Sequence, residues 1–156
     1  MITFRFATLL DCDLLYAWAN DEETRKHSFQ SQAIPYEDHV TWFTKKVSEE
    51  QTKIFIFSEN EQNIGVVRIE NKNNEYVISI SIDKIYRGKK LAAHMIKIAS
   101  DYYFEQISCN AIYAFVKKDN IASYRSFVSA GFTLDSELLI GHTESCKLIK
   151  TQTAHE

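Results

Sequence analysis

The segment YVISISIDKIYRGKKLAAHMIKIASDY, residues 76–102, changes its hydrophobic period partway along. In residues 76–82 large apolar side chains alternate with small or hydroxyl-bearing ones, which is the pattern of a β-strand. After the turn, apolar residues recur at helical spacing and form one stripe: Leu91, Met95, Ile98 and Tyr102. The segment therefore predicts a strand, a turn over residues 83–88 and a long amphipathic helix.

The turn before this helix has the features of an anion-binding site. The N-terminus of a helix offers unpaired backbone N–H groups and the positive end of the helix dipole. Gly88 lets the backbone approach a ligand closely, and Arg87, Lys89 and Lys90 add positive charge. These residues suit the phosphates of a nucleotide-like cofactor. The alternative is a solvated basic turn that binds nothing.

Shorter patterns on both sides of this segment predict the remaining elements. Towards the N-terminus we expect a strand over residues 2–7, a helix carrying Leu10, Leu14 and Trp18 with Thr8 as its N-cap, a connection over 28–36, a helix carrying Val40, Phe43 and Val47, and antiparallel strands over 54–57 and 64–70. Towards the C-terminus we expect a strand buried on both faces over 111–116, a helix begun by Asn120 and ended by Gly131, and strands over 132–140 and 145–149. This order predicts an α/β (α+β) fold in which helices flank a single mixed, mostly antiparallel sheet, in one domain over residues 1–156.

The composition limits the classes of function. With 45% hydrophobic and 25% charged residues and a net charge of −3, the chain resembles ordinary globular proteins, and it has no block of like charges that would favour nucleic acid. Its three cysteines, Cys12, Cys109 and Cys146, fit neither a disulfide framework nor a metal-binding pair. Since no targeting segment or membrane-length apolar run is recognisable, we expect a cytoplasmic protein that does not bind membranes.

Two ordered motifs resemble the GNAT superfamily of N-acetyltransferases. The first is the family signature of Gln or Arg, two residues, Gly, one residue, and then Gly or Ala, in which Arg87 and Ala92 match. The second is the segment NIASYRSFVSAGF, residues 120–132, which resembles a later helix of the family that packs beside the cofactor. The resemblance implies an enzyme that uses acetyl-CoA, without a metal, and acetylates a primary amine by direct attack in a ternary complex.

The resemblance also implies which residues hold acetyl-CoA. The backbone of the central strand would bind the pantetheine arm, the signature would bind the diphosphate, and the second motif would lie beside the cofactor. In chain order, these residues are Ile80, Ser81, Ile82, Arg87, Gly88, Lys89, Lys90, Leu91, Ala92, Asn120 and Ser123. For Asn120 and Ser123 the alternative is a local helix-capping role.

Two positions depart from the family pattern. Lys90 stands where the family usually has its middle glycine. Phe127 stands where many members have the tyrosine that protonates the leaving thiolate, and phenylalanine has no proton to give. Tyr124 lies nearly one helical turn before Phe127 and is our candidate for this role, with a purely structural tyrosine as the alternative.

The N-terminal half resembles a subgroup that includes acetyltransferases for amino groups on nucleotide-linked sugars. The resemblance rests on Phe4-Arg5 with Ala7, on WAND at residues 18–21, on Arg25 and Ser28, and on residues 34–43. Related enzymes that acetylate ribosomal-protein N-termini share parts of this opening, so a peptide acceptor is an alternative. We predict that the acceptor contacts Asn20, Arg25, His39, Trp42 and Ser79, and that Trp18 belongs to the core.

The reaction also needs a general base that reaches the amine. His39 and Glu70 are the candidates, with Glu75 as a further possibility, although Glu70 and Glu75 flank a turn and would ordinarily be surface carboxylates. The departures at Lys90 and Phe127 leave a second hypothesis open, a non-catalytic domain that binds acyl-CoA. The sequence is compatible with a monomer or a homodimer.

Overall fold

A computed structural model describes residues 1–152 and builds them around one mixed β-sheet. Its strands are β1 (Ile2–Phe6), β2 (Lys53–Glu59), β3 (Gln62–Lys72), β4 (Glu75–Ile82), β5 (Ala111–Lys117), β6 (Thr133–Ile140) and β7 (Thr143–Thr151). The helices are α1 (Cys12–Ala19), α2 (Glu22–His27), α3 (Tyr36–Ser48), α4 (Leu91–Tyr102) and α5 (Ile121–Ser129). The sheet order is β1-β2-β3-β4-β5-β7-β6, and only the β4–β5 pair within the described chain is parallel. The predicted mixed, mostly antiparallel sheet is confirmed.

The two faces of the sheet carry different helices. Because neighbouring residues of a strand point to opposite faces, Val66 and Val67 of β3 belong to different cores. Val66 packs against a core that contains Trp18 of α1 and Phe43 of α3, whereas Val67 belongs to the larger core with Met95 of α4. The sheet therefore separates an α1–α3 layer from an α4–α5 layer, and β4 has access to both.

The close packing of α4 on the sheet requires a glycine. A Cβ atom on Gly65 would lie 2.6 Å from the carbonyl oxygen of Ser81 and 2.9 Å from Cε of Met95. The backbone oxygen belongs to the sheet and cannot move away as a flexible side chain can. Gly65 thus sets the spacing between α4 and the end of β4, which are the two elements of the predicted cofactor site.

Two hairpins, between β2 and β3 and between β3 and β4, have the shortest common turns. Asn60 and Glu61 have φ angles of 50° and 65°, and Asn73 and Asn74 have φ angles of 51° and 68°. Two successive residues with positive φ are the hallmark of the two-residue turn that matches the twist of antiparallel strands. The strands consequently run further than predicted, because they continue to the edges of these turns.

Three local predictions were wrong. Leu10 is not part of α1, because Thr8 caps a 3₁₀ turn (Leu9–Asp11) and α1 begins only at Cys12. Its side chain is 95% exposed. Helix α2 lies in a stretch where no separate helix was predicted. Strand β5 is not fully buried on both faces: Tyr113 is half-buried and lies beneath the Lys147 ammonium, 4.4 Å from the ring centre.

Candidate active site

Strands β4 and β5 pair only at their beginnings. The parallel pairing comprises Tyr76 with Ile112 and Val77 with Tyr113, and the strands separate beyond it. The edge of β4 over residues 78–82 therefore has no strand partner on its β5 side within the described chain. Unpaired N–H and C=O groups on a strand edge can bind an extended ligand. Ile80, Ser81 and Ile82, predicted to hold the pantetheine arm, lie on this edge.

Helix α4 begins with an N-terminus that no side chain caps within residues 1–152. Its N-cap residue, Lys90, has a left-handed backbone (φ 60°, ψ 28°), and Gly88 has a φ angle of 77°. The N–H groups of Leu91 and Ala92 are among the first-turn donors that such a helix leaves unsatisfied. Lys89 and Lys90 are exposed beside them. This geometry suits an anionic group such as the predicted diphosphate.

The Arg87 guanidinium is engaged by the protein itself. Its Nε donates to the carbonyl oxygen of Ile82 at 3.0 Å, and its Nη2 lies 2.5 Å from Oδ2 of Asp21 and 3.4 Å from Oγ1 of Thr24. Asp21 therefore compensates the charge that was predicted to serve the diphosphate. Arg87 is half-buried, whereas Lys89 and Lys90 after it are exposed to solvent.

The start of α5 contains the remaining predicted cofactor residues. Oδ1 of Asn120 accepts the backbone N–H of Ser123 at 3.3 Å, so Asn120 has the helix-capping role that was the alternative to cofactor binding. Tyr124 is half-buried and packs against the larger core. Phe127 is 3% exposed and lies edge-to-face on Phe132, with ring centres 5.2 Å apart, so it fills a core position.

A cavity of about 180 Å³ lies in the α1–α3 layer beside the free part of β4. Four of the five predicted acceptor residues line it: Arg25, His39, Trp42 and Ser79. The other lining residues are Leu15, Trp18, Ala19, Thr24, Ser28, Ile54, Val66, Arg68, Ile80 and Ser81. Because Ser79, Ile80 and Ser81 belong to both the cavity and the free edge of β4, an amine in the cavity would meet a thioester on that edge.

The fifth predicted acceptor residue, Asn20, is used differently. Its side-chain amide donates to the carbonyl oxygen of Ile34 at 2.9 Å and accepts the N–H of Ile34 at 2.7 Å. This pair of bonds holds the connection before α3 against the end of α1. Asn20 is absent from the cavity lining, and its geometry supports a structural role.

His39 is a buried imidazole in the cavity wall, with 2% of its surface exposed. Its Nε2 lies 3.0 Å from the backbone carbonyl oxygen of Cys12. Because a carbonyl can only accept, Nε2 must carry the proton, which leaves the lone pair on Nδ1 in the neutral ring. Burial lowers the pKa of His39, and this outweighs the opposing effects of Cys12 and Asp13. The ring is therefore neutral at neutral pH, and its Nδ1 can accept a proton.

Arg68 lines the cavity but was not predicted as a site residue. Its guanidinium carbon lies 4.8 Å from the ring centre of Trp42, close enough for a cation–π interaction. Its Nε lies 2.8 Å from Oε2 of Glu70, yet the N–H does not point at that oxygen, and neither atom has a hydrogen-bond partner in the described chain. The strand register could have identified Arg68, since it pairs directly with Ser79, and directly paired residues share a face.

Glu70 is buried, contrary to the expectation of a surface carboxylate. It is 2% exposed and lies within 3.1 Å of Lys72 Nζ and 3.8 Å of Lys46 Nζ. Burial alone would raise the pKa of Glu70, but the charges of Arg68, Lys72 and Lys46 hold it below its usual value. An ionised carboxylate outside the cavity lining suits a counter-ion of Arg68 better than a general base. Glu75, the further possibility, pairs with Lys147 at 2.9 Å.

The cysteines offer no evident nucleophile. All three are free, and burial raises the pKa of Cys109 to about 11, which keeps it a thiol at neutral pH. Over residues 1–152 there is no group of three or more His, Cys, Asp or Glu side chains that could hold a metal ion. In the same part of the chain, no helix is long and apolar enough to cross a membrane.

Comparison with known proteins identifies related sequences over most of the chain. The profile of a family described as an acetyltransferase (GNAT) domain matches residues 2–133. Acetyltransferase PseH of Campylobacter jejuni is 26% identical over 130 residues, which cover 81% of this chain and 80% of that protein. Spermidine N(1)-acetyltransferase of Escherichia coli K12 is 27% identical over 113 residues, which cover 67% of this chain but only 60% of that protein.

Solved structures show the same fold. The spermidine N-acetyltransferase of Vibrio cholerae in complex with CoA and spermine superposes with a TM-score of 0.86 at 19% identity, over 97% of this chain and 95% of that one. An aminoglycoside acetyltransferase, AAC(6')-Ib, in complex with coenzyme A and kanamycin gives a TM-score of 0.84 at 16% identity, also over 97% and 95%. At this level of identity the likeness concerns the fold alone.

Proposed function

The chain belongs to the acetyltransferase (GNAT) family and is an acetyl-CoA-dependent N-acetyltransferase, and we propose that its acceptor is a primary amine on a nucleotide-linked amino-sugar. The charge of the cavity is the observation that carries this proposal. Arg25 and Arg68 line the cavity, and among residues 1–152 no Asp or Glu lines it. The nearest carboxylate, Glu70, lies outside the lining and is shared by Arg68 with Lys72 and Lys46, so the positive charge of this wall is not neutralised. Polyamines and aminoglycosides are polycations, which such a wall would repel.

The cavity also suits a sugar in shape and polarity. Trp18 and Trp42 supply apolar ring surface, while Thr24, Ser28 and Ser79 supply hydroxyl groups for hydrogen bonds to a sugar. Whole-ligand pockets typically measure roughly 300–1,000 Å³. A cavity of about 180 Å³ is sufficient for the reacting ring only, so the nucleotide would lie at the opening, where its anionic diphosphate meets a positively charged wall.

In the proposed mechanism the residues of this chain position two substrates and take part in two proton transfers. The free edge of β4 and the N-terminus of α4 hold acetyl-CoA, and N–H groups of that edge polarise the thioester carbonyl. The amine nitrogen bonds to the carbonyl carbon, the carbon–sulfur bond breaks, and CoA leaves as a thiolate. Nδ1 of His39 takes the proton of the amine, directly or through one water. The Tyr124 hydroxyl donates a proton to the thiolate.

The test is thiol release from acetyl-CoA with matched acceptors. Nucleotide-linked amino-sugars with the amine at different ring positions are compared with the free amino-sugars, spermidine, amino-terminal peptides and a reaction without acceptor. We expect kcat/KM for one nucleotide-linked sugar to exceed that for spermidine by at least about a hundredfold, the equivalent of two well-placed charge contacts. A preference for spermidine or a peptide would refute the acceptor class. CoA binding without turnover of any acceptor would favour the non-catalytic alternative.

Substitution of Arg68 tests the charge argument directly. Arg68→Met keeps an unbranched side chain against Trp42 and removes the charge, so KM for the nucleotide-linked acceptor should rise by about tenfold. The matched control is Lys72→Met, because Lys72 also pairs with Glu70 but is exposed and lies outside the cavity lining. The control should leave KM unchanged. Equal effects of the two substitutions would show that Arg68 acts only through Glu70.

We further propose that the chain functions as one acetyltransferase domain in a reducing cytoplasm, as a monomer or homodimer. Three free cysteines fit such a compartment, because reducing conditions maintain thiols. Size-exclusion chromatography with light scattering would determine the oligomeric state.

A further inference from the structure

We infer that Arg87 is a positioning residue of the acceptor site, which holds α2 against the end of β4 through Asp21. The family signature assigns Arg87 to the cofactor turn, but its guanidinium reaches across to the acceptor layer. The inference rests on the proposed function in one respect, the identification of the cavity as the acceptor site.

Helix α2 needs such support because it has no core of its own. It spans six residues, Glu22–His27, and none of them is buried. Isolated helices of this length are unstable in water, and most helices in proteins are held by an apolar face that this one lacks. Yet Thr24 and Arg25 of α2, with Ser28 after it, form part of the cavity wall. Polar contacts must therefore determine where this wall lies.

One carboxylate oxygen connects the start of α2 to Arg87. Oδ2 of Asp21 accepts the backbone N–H of Thr24 at 3.2 Å, which caps α2, and the same oxygen lies 2.5 Å from Nη2 of Arg87. Nε of Arg87 binds the carbonyl oxygen of Ile82 at the end of β4. Oγ1 of Thr24 lies 3.2 Å from Oγ of Ser81, which extends the contact to the cavity floor. Arg87 thus joins the cap of α2 to the strand on which both substrates are proposed to meet.

A second hydrogen bond also joins the turn after β4 to the α1–α3 layer. Nε1 of Trp18 in α1 donates to Oδ2 of Asp83 at 2.9 Å, and Oδ1 of Asp83 accepts the N–H of Ile85. The turn between β4 and α4 is therefore fastened to α1 by Asp83 and to α2 by Arg87. Since the following residues of this turn are predicted to bind the diphosphate, one short segment positions groups for both substrates.

The experiment separates this role from phosphate binding. Arg87→Gln, Asp21→Asn and the double variant are compared with Lys89→Gln, which removes an exposed cation from the same turn. Asparagine caps helices as well as aspartate does, so Asp21→Asn removes the ion pair and retains the cap. Hydrogen–deuterium exchange of residues 22–28 reports the order of α2, calorimetry gives the Kd for CoA, and steady-state rates give KM for the acceptor.

We expect Arg87→Gln and Asp21→Asn to speed exchange in α2 by about tenfold each, with no further increase in the double variant, because both remove the same contact. Both should raise KM for the acceptor by a similar factor and leave the Kd for CoA within about twofold. Lys89→Gln should show the opposite pattern, with weaker CoA binding and normal exchange.

Two results would overturn the inference. One is unchanged exchange in α2 for both single variants. The other is a weaker Kd for CoA in Arg87→Gln but not in Asp21→Asn, which would make Arg87 a phosphate ligand. The acceptor used is whichever amine the wild-type enzyme acetylates, and exchange needs no acceptor, so a wrong acceptor class leaves this test intact. Lys97→Gln, which breaks an exposed pair with Asp101 on α4, serves as a neutral control.

Discussion

Replacing Lys90 with glycine should stabilise the protein, although it removes a side chain at the candidate cofactor site. Lys90 has φ 60° and ψ 28°, a left-handed conformation that costs a residue with a Cβ atom about 1–2 kcal/mol. Glycine avoids this cost but loses about 0.5–1 kcal/mol more backbone entropy on folding. The free energy of unfolding should therefore rise by about 0.5–1 kcal/mol, which corresponds to an increase in Tm of roughly 1–4 °C for a chain of this size.

The same substitution tests whether the backbone at residue 90 limits cofactor binding. Lys90→Gln removes the same charge and retains the left-handed strain, so it is the reference for Lys90→Gly. Both variants should bind CoA more weakly than the wild type if the charge contributes. Without a Cβ atom the backbone can approach the diphosphate more closely, so we expect the glycine variant to bind CoA several-fold more tightly than the glutamine variant.

Ser108 provides a matched control for the strain. It has almost the same conformation, φ 59° and ψ 35°, and it is exposed beyond the C-terminal end of α4, away from the cofactor turn. Ser108→Gly should give a similar gain in urea unfolding and no change in the Kd for CoA measured by calorimetry. Two results would contradict this prediction: stabilisation by Ser108→Gly together with destabilisation by Lys90→Gly, or equal CoA binding by both Lys90 variants.

Three further substitutions test the roles assigned to the catalytic candidates. Glu70→Gln should lower the free energy of unfolding by about 2 kcal/mol at pH 7, because Arg68 and two lysines lose their counter-ion. The pKa of Glu70 is depressed on folding, so this contribution is complete above the unfolded pKa of roughly 4.3 and is lost as the pH falls through the folded value. Urea unfolding at pH 7 and at successively lower pH should show the difference between the variant and the wild type shrink. His39→Gln keeps a donor for the carbonyl oxygen of Cys12 and should lower kcat about a hundredfold. Because burial depresses the pKa of His39, the wild-type rate should decline only below about pH 6.5, and the rate of the variant should lack this decline. Tyr124→Phe should lower kcat about tenfold with KM for acetyl-CoA unchanged, and an unaltered kcat would mean that the thiolate leaves without its help.

The strand-turn-helix unit around residues 76–102 was predictable because its signals are local. Period-two alternation, a glycine-containing basic turn and a helical apolar stripe each operate over a few residues. The same holds for α5, where Asn120 caps the helix as predicted and Gly131, with a φ angle of 101°, ends it. For the left-handed backbone at Lys90, the one indication was the glycine that the family usually has at this position.

Helix α2 was missed because periodicity detects apolar faces and this helix has none. Its signal was of another kind: Glu22 and Glu23 lie in its first turn, and Arg25, Lys26 and His27 lie in its last, the arrangement that complements a helix dipole. With Asp21 as the cap, this pattern could have predicted a short helix. The contacts from Arg87 that hold it could not have been predicted, because the partner lies 66 residues away in the chain.

The sequence by itself determined the order of the strands and of the four helices other than α2, the turn that opens α4 and the membership of the acetyltransferase family, because each is encoded in short-range patterns and motifs. Only the tertiary structure decided which charged groups serve the site. In the folded chain Asp21 compensates the charge of Arg87, and Glu70 is buried among three cations. Asn20 bonds to the backbone instead of lining the cavity, and Arg68 lies in the cavity wall beside Trp42. The physical reason is that the pKa and the availability of a charged group depend on its neighbours in space, which strands and helices distant in the chain supply.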